Sequence, residues 1–218
     1  MDPKVKVIQV ARRVQADNDA LARQLRQRFD AAGVRVFNLI AAPGAGKTSL
    51  IRRTIEQLGD RYRIGVLEGD IAGSIDTQQV LQAGACDAVQ INTGGTCHLE
   101  ARMIAEALEK LNLESLDLLF IENVGNLICP THWDLGAHYT VGLVSAAEGH
   151  DKPLKYPAIF VRSDAVVLNK LDLAPLCDFD RSQFDAHLRA LTQAPVFELS
   201  CRTGEGLATW ITWLTNVL

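Results

Sequence analysis

The chain has 218 residues, 48% of them hydrophobic, a length that buries one substantial core, and no Pro/Ser-rich or low-complexity stretch divides it. Its net charge of −4 comes from interspersed acidic and basic residues, so it carries no electrostatic footprint for nucleic acid or an anionic membrane surface. Met1-Asp2-Pro3-Lys4 leads into a charged segment rather than a signal sequence, no apolar run reaches a membrane span, and the expected location is cytoplasmic.

From about Val5 to Ala32 apolar residues recur at irregular helical spacing (Val7, Val10, Val14, Leu21, Leu25, Phe29). This reads as an N-terminal helical arm, residues 1–32, packed by one stripe on a domain spanning 33–218. Apolar runs then alternate with helical patterns: Val34 to Ile40, Arg63 to Leu67, Ala88 to Ile91, Leu116 to Ile121, Tyr139 to Val144, Ala165 to Leu168 and Val196 to Leu199. Near-continuous apolar strands separated by helices predict an α/β fold, a mostly parallel sheet of about seven strands covered on both faces. In such sheets ligands sit outside the carboxyl ends of the strands. Gly204 to Leu218 reads as a buried C-terminal helix through Leu207, Trp210, Ile211, Trp213 and Leu214.

Directly after the first run stands Ala41-Ala42-Pro43-Gly44-Ala45-Gly46-Lys47-Thr48, followed by Ser49 and the helical pattern Leu50, Ile51, Ile55, Leu58. This is a phosphate-binding loop, with Ala41 where G-x-x-x-x-G-K-[ST] has Gly. Its backbone N–H groups and the helix N-terminus face nucleotide phosphates, Lys47 neutralises the β/γ oxygens, and Thr48 ligates Mg²⁺. Asn169-Lys170-Leu171-Asp172 at a strand end is the guanine-reading motif of GTPases. Its carboxylate accepts from guanine N1–H and the exocyclic amine, and would be left unpaired by adenine. Ser200-Cys201-Arg202-Thr203-Gly204 looks like the loop whose backbone touches the guanine carbonyl, with Cys201 in place of Ala; a plain Ser/Thr turn is the other reading. Glu122-Asn123-Val124-Gly125 occupies the place of D-x-x-G, so Glu122 would serve Mg²⁺ or its water and the Gly125 N–H the γ-phosphate. Asp70 and Asp76 are further carboxylates aimed at that edge, and Asp76 reads equally as a helix cap near Ala72-Gly73-Ser74. No arginine finger or water-orienting Gln is evident, which predicts slow hydrolysis.

Five cysteines (Cys86, Cys97, Cys129, Cys177, Cys201) form an odd set that suits reduced thiols, and any clustered pair is a metal or redox candidate. Cys97 and His98 are adjacent, and Cys129 lies seven residues after Glu122. Two thiolates and an imidazole suit Zn²⁺ or Ni²⁺ and leave a coordination position open. Thr96 could cap a helix beginning at Cys97, which would ease ionisation of that thiol. From the residues alone, a chance pair of a small buried hydrophobe and a neighbouring His is as good a reading. His132, three residues past Cys129, and His138 are weaker candidates for an added metal ligand and read better as surface histidines, and Cys86 and Cys177 read as structural.

Glu68-Gly69-Asp70-Ile71-Ala72 with Asp76, Gly94-Gly95-Thr96-Cys97-His98-Leu99, Glu122 through Pro130, Glu148 through Pro157 and Asn169 through Asp172 occur in this order. Together they closely resemble the HypB family of hydrogenase nickel-incorporation GTPases, of the SIMIBI class of nucleotide-dependent dimerising P-loop proteins, over roughly Val34 to Leu218. The resemblance implies GTP hydrolysis coupled to nickel delivery into the [NiFe] hydrogenase large subunit, a GTP-dependent homodimer, and a HypA-type metallochaperone partner. It also implies Cys97, His98 and Cys129 as nickel or zinc ligands. Many bacterial members add a Cys-rich or His-rich N-terminal stretch; the arm here has neither, so binding of metal there is not expected. His150 stands where the family usually has Asp. A regulatory GTP-binding module whose cysteines only pack or sense redox state is the alternative, and metal titration separates the two.

Overall fold

The computed structural model describes residues 10–70, 73 and 75–218. Val7, the Val10 side chain, and Ala72 and Ser74 of the supposed capping turn lie outside the described residues. Seven strands form one sheet: β1 (Arg35–Ala41), β2 (Ile64–Asp70), β3 (Asp87–Asn92), β4 (Leu118–Glu122), β5 (Tyr139–Ser145), β6 (Ala165–Asn169) and β7 (Val196–Glu198). Their order is β3-β2-β4-β1-β5-β6-β7, and every pairing is parallel. The strands are those the apolar runs predict, wholly rather than mostly parallel. A chain that crosses between parallel neighbours needs a covering helix each time, which is why the central strands are buried on both faces.

The alternation along β1 shows how the layers are assigned. Phe37 and Leu39 face a core made with Leu50, Ile51 and Ile55 of α2 (Lys47–Leu58) and Trp210 of α8 (Leu207–Asn216). Val36 faces the opposite side, against α1 (Val10–Ala32) and α4 (Ala101–Ala107) through Phe29, Leu25 and Ile104. On the β5–β6 half of that side, Ile40, Val144 and Leu168 pack with Phe160 of α6 (Pro157–Arg162) and Phe184 of α7 (Arg181–Arg189). Two further helices, α3 (Ile75–Gln82) and the short α5 (Lys152–Lys155), follow β2 and β5. Trp210 is fully buried, its indole N–H donating to Thr54 at 2.9 Å, and the partly buried Trp213 packs against the same core.

Helix α1 buries Ala22, Leu25 and Phe29 in a core shared with the sheet, at the i, i+3, i+7 spacing of one helix face. Val14, expected in this stripe, stands 46% exposed, outside the stretch that Ala22, Leu25 and Phe29 bury. The start of α4 also differs from expectation: the helix begins at Ala101, not Cys97. Thr96 instead closes a turn, with its N–H on the Thr93 carbonyl and its own carbonyl on the Thr93 hydroxyl at 2.8 Å. Cys97 therefore gains nothing from a helix dipole.

Candidate functional site

All the sequence-predicted nucleotide residues meet at the carboxyl edge of the sheet, around β1. Ala41 is the last residue of β1, paired with Leu143 and fully buried, so this position is extended backbone that demands no glycine. Gly46 does need to be glycine: its φ is 106°, and a Cβ there would come within 2.4 Å of the Asn169 amide. Gly46 caps α2 with no side chain on the first N–H groups, leaving them free for an anion.

A cavity of about 540 Å³ opens over this loop, lined among others by Gly44, Lys47, Thr48, Asp70, Asp76 and Glu122, with Gly125 on its rim. Lys47 is buried beneath it. The Thr48 hydroxyl donates to Glu122 Oε1 at 2.8 Å, while Glu122 Oε2 is buried with no partner among the described residues. Burial pushes Glu122 up to about 7, against the pull of Lys47 and the Thr48 hydrogen bond. A divalent cation between Thr48 and Glu122 fits this donor set, because it would give the orphaned oxygen its partner and hold the carboxylate ionised.

Glu68 belongs here too, although the motif that holds it gives it no role in the sequence. It is the register neighbour of Glu122 on adjacent strands, almost fully buried, and pushed by burial to about 7. Its carboxylate accepts from the Thr77 hydroxyl of α3, and Asp76 accepts from Gln79 Nε2 at 3.4 Å one turn along the same helix.

Beside the phosphate cavity lies a second, of about 490 Å³, lined by Arg52, Arg53, Asn169, Lys170, Asp172 and Cys201 among others. Here the Asn-Lys-Leu-Asp segment divides its labour. Asn169 Nδ2 donates to the Ala45 carbonyl at 3.0 Å and its Oδ1 accepts from the Cys201 N–H at 3.1 Å. The Lys170 ammonium donates to the Gly44 carbonyl at 2.6 Å, and Lys170 has a left-handed backbone, φ 61°. Both side chains thus brace the phosphate loop and leave Asp172 to face the cavity. Asp172 accepts from the Ser200 hydroxyl at 2.6 Å and Arg202 Nε at 2.9 Å, and the Ser200 hydrogen bond above all holds its carboxyl below the usual range. Arg53, unmarked in the sequence, holds this loop by donating to the Cys201 carbonyl at 2.7 Å.

Cys97, His98 and Cys129 form a separate cluster, their ligand atoms within 4.8 Å of one another. His98 Nδ1 faces the Cys97 sulfur at 3.8 Å, and its Nε2 lies 3.5 Å from Glu100. That nitrogen is buried without a hydrogen bond among the described residues, so Glu100 stands near the ring and does not fix its tautomer. The ring stacks on Trp133 with centroids 4.6 Å apart and planes 12° from parallel, a contact no sequence signal announced. The Cys97 thiol is pushed up, first by its hydrogen bond with Cys129, which reverses the expected ease of ionisation; a cation between the sulfurs would remove the cause.

Other expectations divide. His132 is exposed, as expected. His138 is not a surface residue: it accepts from the Val36 N–H at 3.0 Å and meets Asp30 at 2.9 Å, tying α1 to β1 away from the cluster. Cys177 bonds carbonyls of its own turn, Leu173 at 3.0 Å, whereas Cys86, expected to be structural, is exposed because its turn at the start of β3 lies outside the core.

The cluster and the phosphate cavity are joined by one residue. Asn123, immediately after Glu122, accepts from the Leu99 N–H at 3.3 Å and the Val124 N–H at 3.0 Å, and donates to Asn38 of β1 at 3.2 Å.

Fold and loop together define a P-loop nucleotide-binding protein. A family model described as "CobW/HypB/UreG, nucleotide-binding domain" matches residues 35–198. The chain is 45% identical over 210 residues to the hydrogenase maturation factor HypB of Rhizobium leguminosarum bv. viciae, covering 96% of this chain and 70% of that protein. Crystal structures of HypB from Archaeoglobus fulgidus (TM-score 0.86, 40% identity, 93% of this chain and 98% of that one) and from Helicobacter pylori in complex with nickel (TM-score 0.87, 36% identity, 92% and 94%) superpose on it. The chain belongs to the HypB family of hydrogenase maturation factors.

Proposed function

We propose that the chain is a GTP-hydrolysing nickel metallochaperone that helps insert nickel into [NiFe] hydrogenase during its maturation. The observation that carries this reading is the run Glu122–Cys129, which begins in the phosphate cavity and ends on a thiol of the Cys97–His98–Cys129 cluster. In it, residues 33–218 are the GTPase domain and residues 1–32 an arm built onto it. The relatives' names and the nickel in the Helicobacter pylori structure support the cargo assignment.

In this reading Gly44, Ala45, Gly46, Lys47, Thr48 and Ser49 surround the phosphates, with Lys47 neutralising the β/γ oxygens and the Gly125 N–H meeting the γ-phosphate. Asp172 takes guanine N1–H and the exocyclic amine, which requires Arg202 to share or release its oxygen, and the Cys201 and Ser200 backbone borders the base. Thr48, Asp70 and Glu122 would hold Mg²⁺, which supplies positive charge at the β/γ oxygens when bound. Asp76 and the Glu122 carboxylate orient the attacking water, and hydrolysis yields GDP and phosphate.

Nickel, or zinc as a competing occupant, is held by Cys97, His98 and Cys129, and the fourth position is left to a partner. The exposed apolar side chains Ile128, Leu154 and Val161, around the packing of α6 on the Cys129–His132 turn, support a GTP-dependent homodimer that completes the sphere. A HypA-type metallochaperone and the hydrogenase large subunit, in the cytoplasm, are the donor and acceptor this assigns.

The test is to measure Ni²⁺ affinity and solution mass for the nucleotide-free, GDP and non-hydrolysable-GTP forms. A change in both with the GTP analogue is expected, and by linkage metal must shift the nucleotide equilibrium equally. Identical values in all three forms would leave no coupling and overturn the delivery reading.

A further inference from the structure

The metal cluster stands on two irregular segments, and one side chain from outside both holds them together. Asn18, in the middle of α1, is 8% exposed. Its Oδ1 accepts from the Ala101 N–H at 2.8 Å, and its Nδ2 donates to the Asp134 carbonyl at 2.9 Å. Ala101 opens α4 three residues after His98, and Asp134 follows Trp133, on which His98 stacks. The Asn18 bridge therefore runs beside the His98–Trp133 stack and joins the same two segments at their far ends.

Helix α4 has Glu100 at its N-cap with no side-chain cap hydrogen bond, and Ala101 is fully buried. Its first N–H is thus satisfied from another helix, and loss of Asn18 would leave that donor orphaned out of reach of water. The neighbours of Asn18 on α1 act on the same loop: Gln15 donates to the His132 carbonyl at 3.2 Å and Arg26 to the Gly136 carbonyl at 2.7 Å. Only Asn18 reaches both segments among these three.

We infer that Asn18 is a positioning residue of the metal site, fixing the His98 segment against the Cys129–Trp133 segment so that imidazole and thiolates converge on one ion. The inference rests on the cluster binding nickel, so its test carries a control for that reading.

Ni²⁺ affinity is measured on the full chain by competition with a chromogenic chelator, together with the thiolate-to-nickel absorption band and GTP-analogue affinity. For Asn18→Ala, affinity about tenfold weaker, a shifted band and unchanged nucleotide affinity are expected, the size of a loss typical of groups that orient ligands. Asn18→Asp keeps the acceptor for Ala101 and loses the donor to Asp134, so it should fall between, and it also serves if Asn18→Ala fails to fold. Asp30→Ala removes the tie of α1 to His138, away from both segments, and should leave the band in place. Unchanged affinity and band in both Asn18 variants, or an equal loss in Asp30→Ala, would overturn the positioning role. Full nickel binding by a Cys97→Ala, Cys129→Ala double variant would instead overturn the cluster itself.

Discussion

The nucleotide edge and the Cys/His cluster lie on consecutive pieces of chain yet are built differently. Around the base and phosphates, functional residues sit at strand ends, and their spare groups are bonded to each other: Asn169 to Ala45 and Cys201, Lys170 to Gly44. Cys97, His98 and Cys129 sit on turns between elements, kept in place by stacking on Trp133 and by hydrogen bonds arriving from α1 and Asn123. Strand ends give fixed geometry, as recognition of one base and a chain of phosphates requires. Turns held from outside can be released from outside, and a metal that must be handed on requires release.

The largest effect should come from the rigid side of that contrast. Lys47 is buried under the phosphate cavity, and none of the other cations around it sits on the loop itself. Lys47→Ala should cut triphosphate hydrolysis on the order of 10²-fold or more while nickel affinity of the nucleotide-free protein stays put. A phosphate-release assay beside a nickel titration checks both, and unaltered hydrolysis would break the assignment of the loop.

The complementary change belongs to the adaptable side. Cys97→Ala or Cys129→Ala should weaken nickel binding by about ten- to a hundredfold, with GTP hydrolysis still measurable, because neither thiol lines the phosphate cavity. If hydrolysis collapses along with metal binding, the two regions are one site and the comparison fails.

How much of this was legible in the sequence follows from the same contrast. Period and punctuation gave every strand, because parallel strands buried on both faces read as unbroken apolar runs. The phosphate loop and the Asn-Lys-Leu-Asp segment were legible as motifs of fixed spacing, and the fold brings both to one edge of the sheet. Glu68, Arg53, Trp133 and Asn18 were not, since each acts across tens of residues or across strands that only folding brings side by side. The helix start at Cys97 failed because the Leu99 N–H that Thr96 would cap goes to the Asn123 side chain, while the Thr93 hydroxyl takes the Thr96 carbonyl.

A finer test of the base site is Asp172→Asn, which keeps the shape and reverses one hydrogen-bonding direction. GTP affinity should fall about tenfold or more, and xanthosine triphosphate should gain, since the amide donates to the xanthine oxygen. Competition binding with the two nucleotides decides it, and equal affinities before and after would place base recognition elsewhere.

The smallest effect tests whether the rigid edge is strained when empty. Burial raises Glu68 and Glu122 from ordinary carboxylate values to about 7 each, so in the nucleotide-free protein their charged forms are the unfavourable ones. A carboxyl whose folded value lies above its unfolded one stabilises the fold at low pH, and that contribution is lost as pH rises through the folded value. Between pH 5.5 and 7.5 the metal-free, nucleotide-free protein should therefore lose a few degrees of melting temperature, on the order of what one or two kcal/mol produces in a chain of this size. The carboxyls with lowered values, such as Asp117 and Asp180, work in the opposite sense only in acid, below this window, whereas His138, lowered by burial, opposes the trend inside it and Glu148, raised by burial, adds to it. Glu122→Gln keeps an acceptor for the Thr48 hydroxyl and removes one titration, so its melting curve should depend less on pH than that of the unaltered chain. Magnesium and a GTP analogue require the ionised carboxylate, so their binding should strengthen over the same interval, and this gain too should shrink in Glu122→Gln. A pH-independent melting temperature together with pH-independent binding would mean that the buried carboxylates are already charged and paired in the empty site.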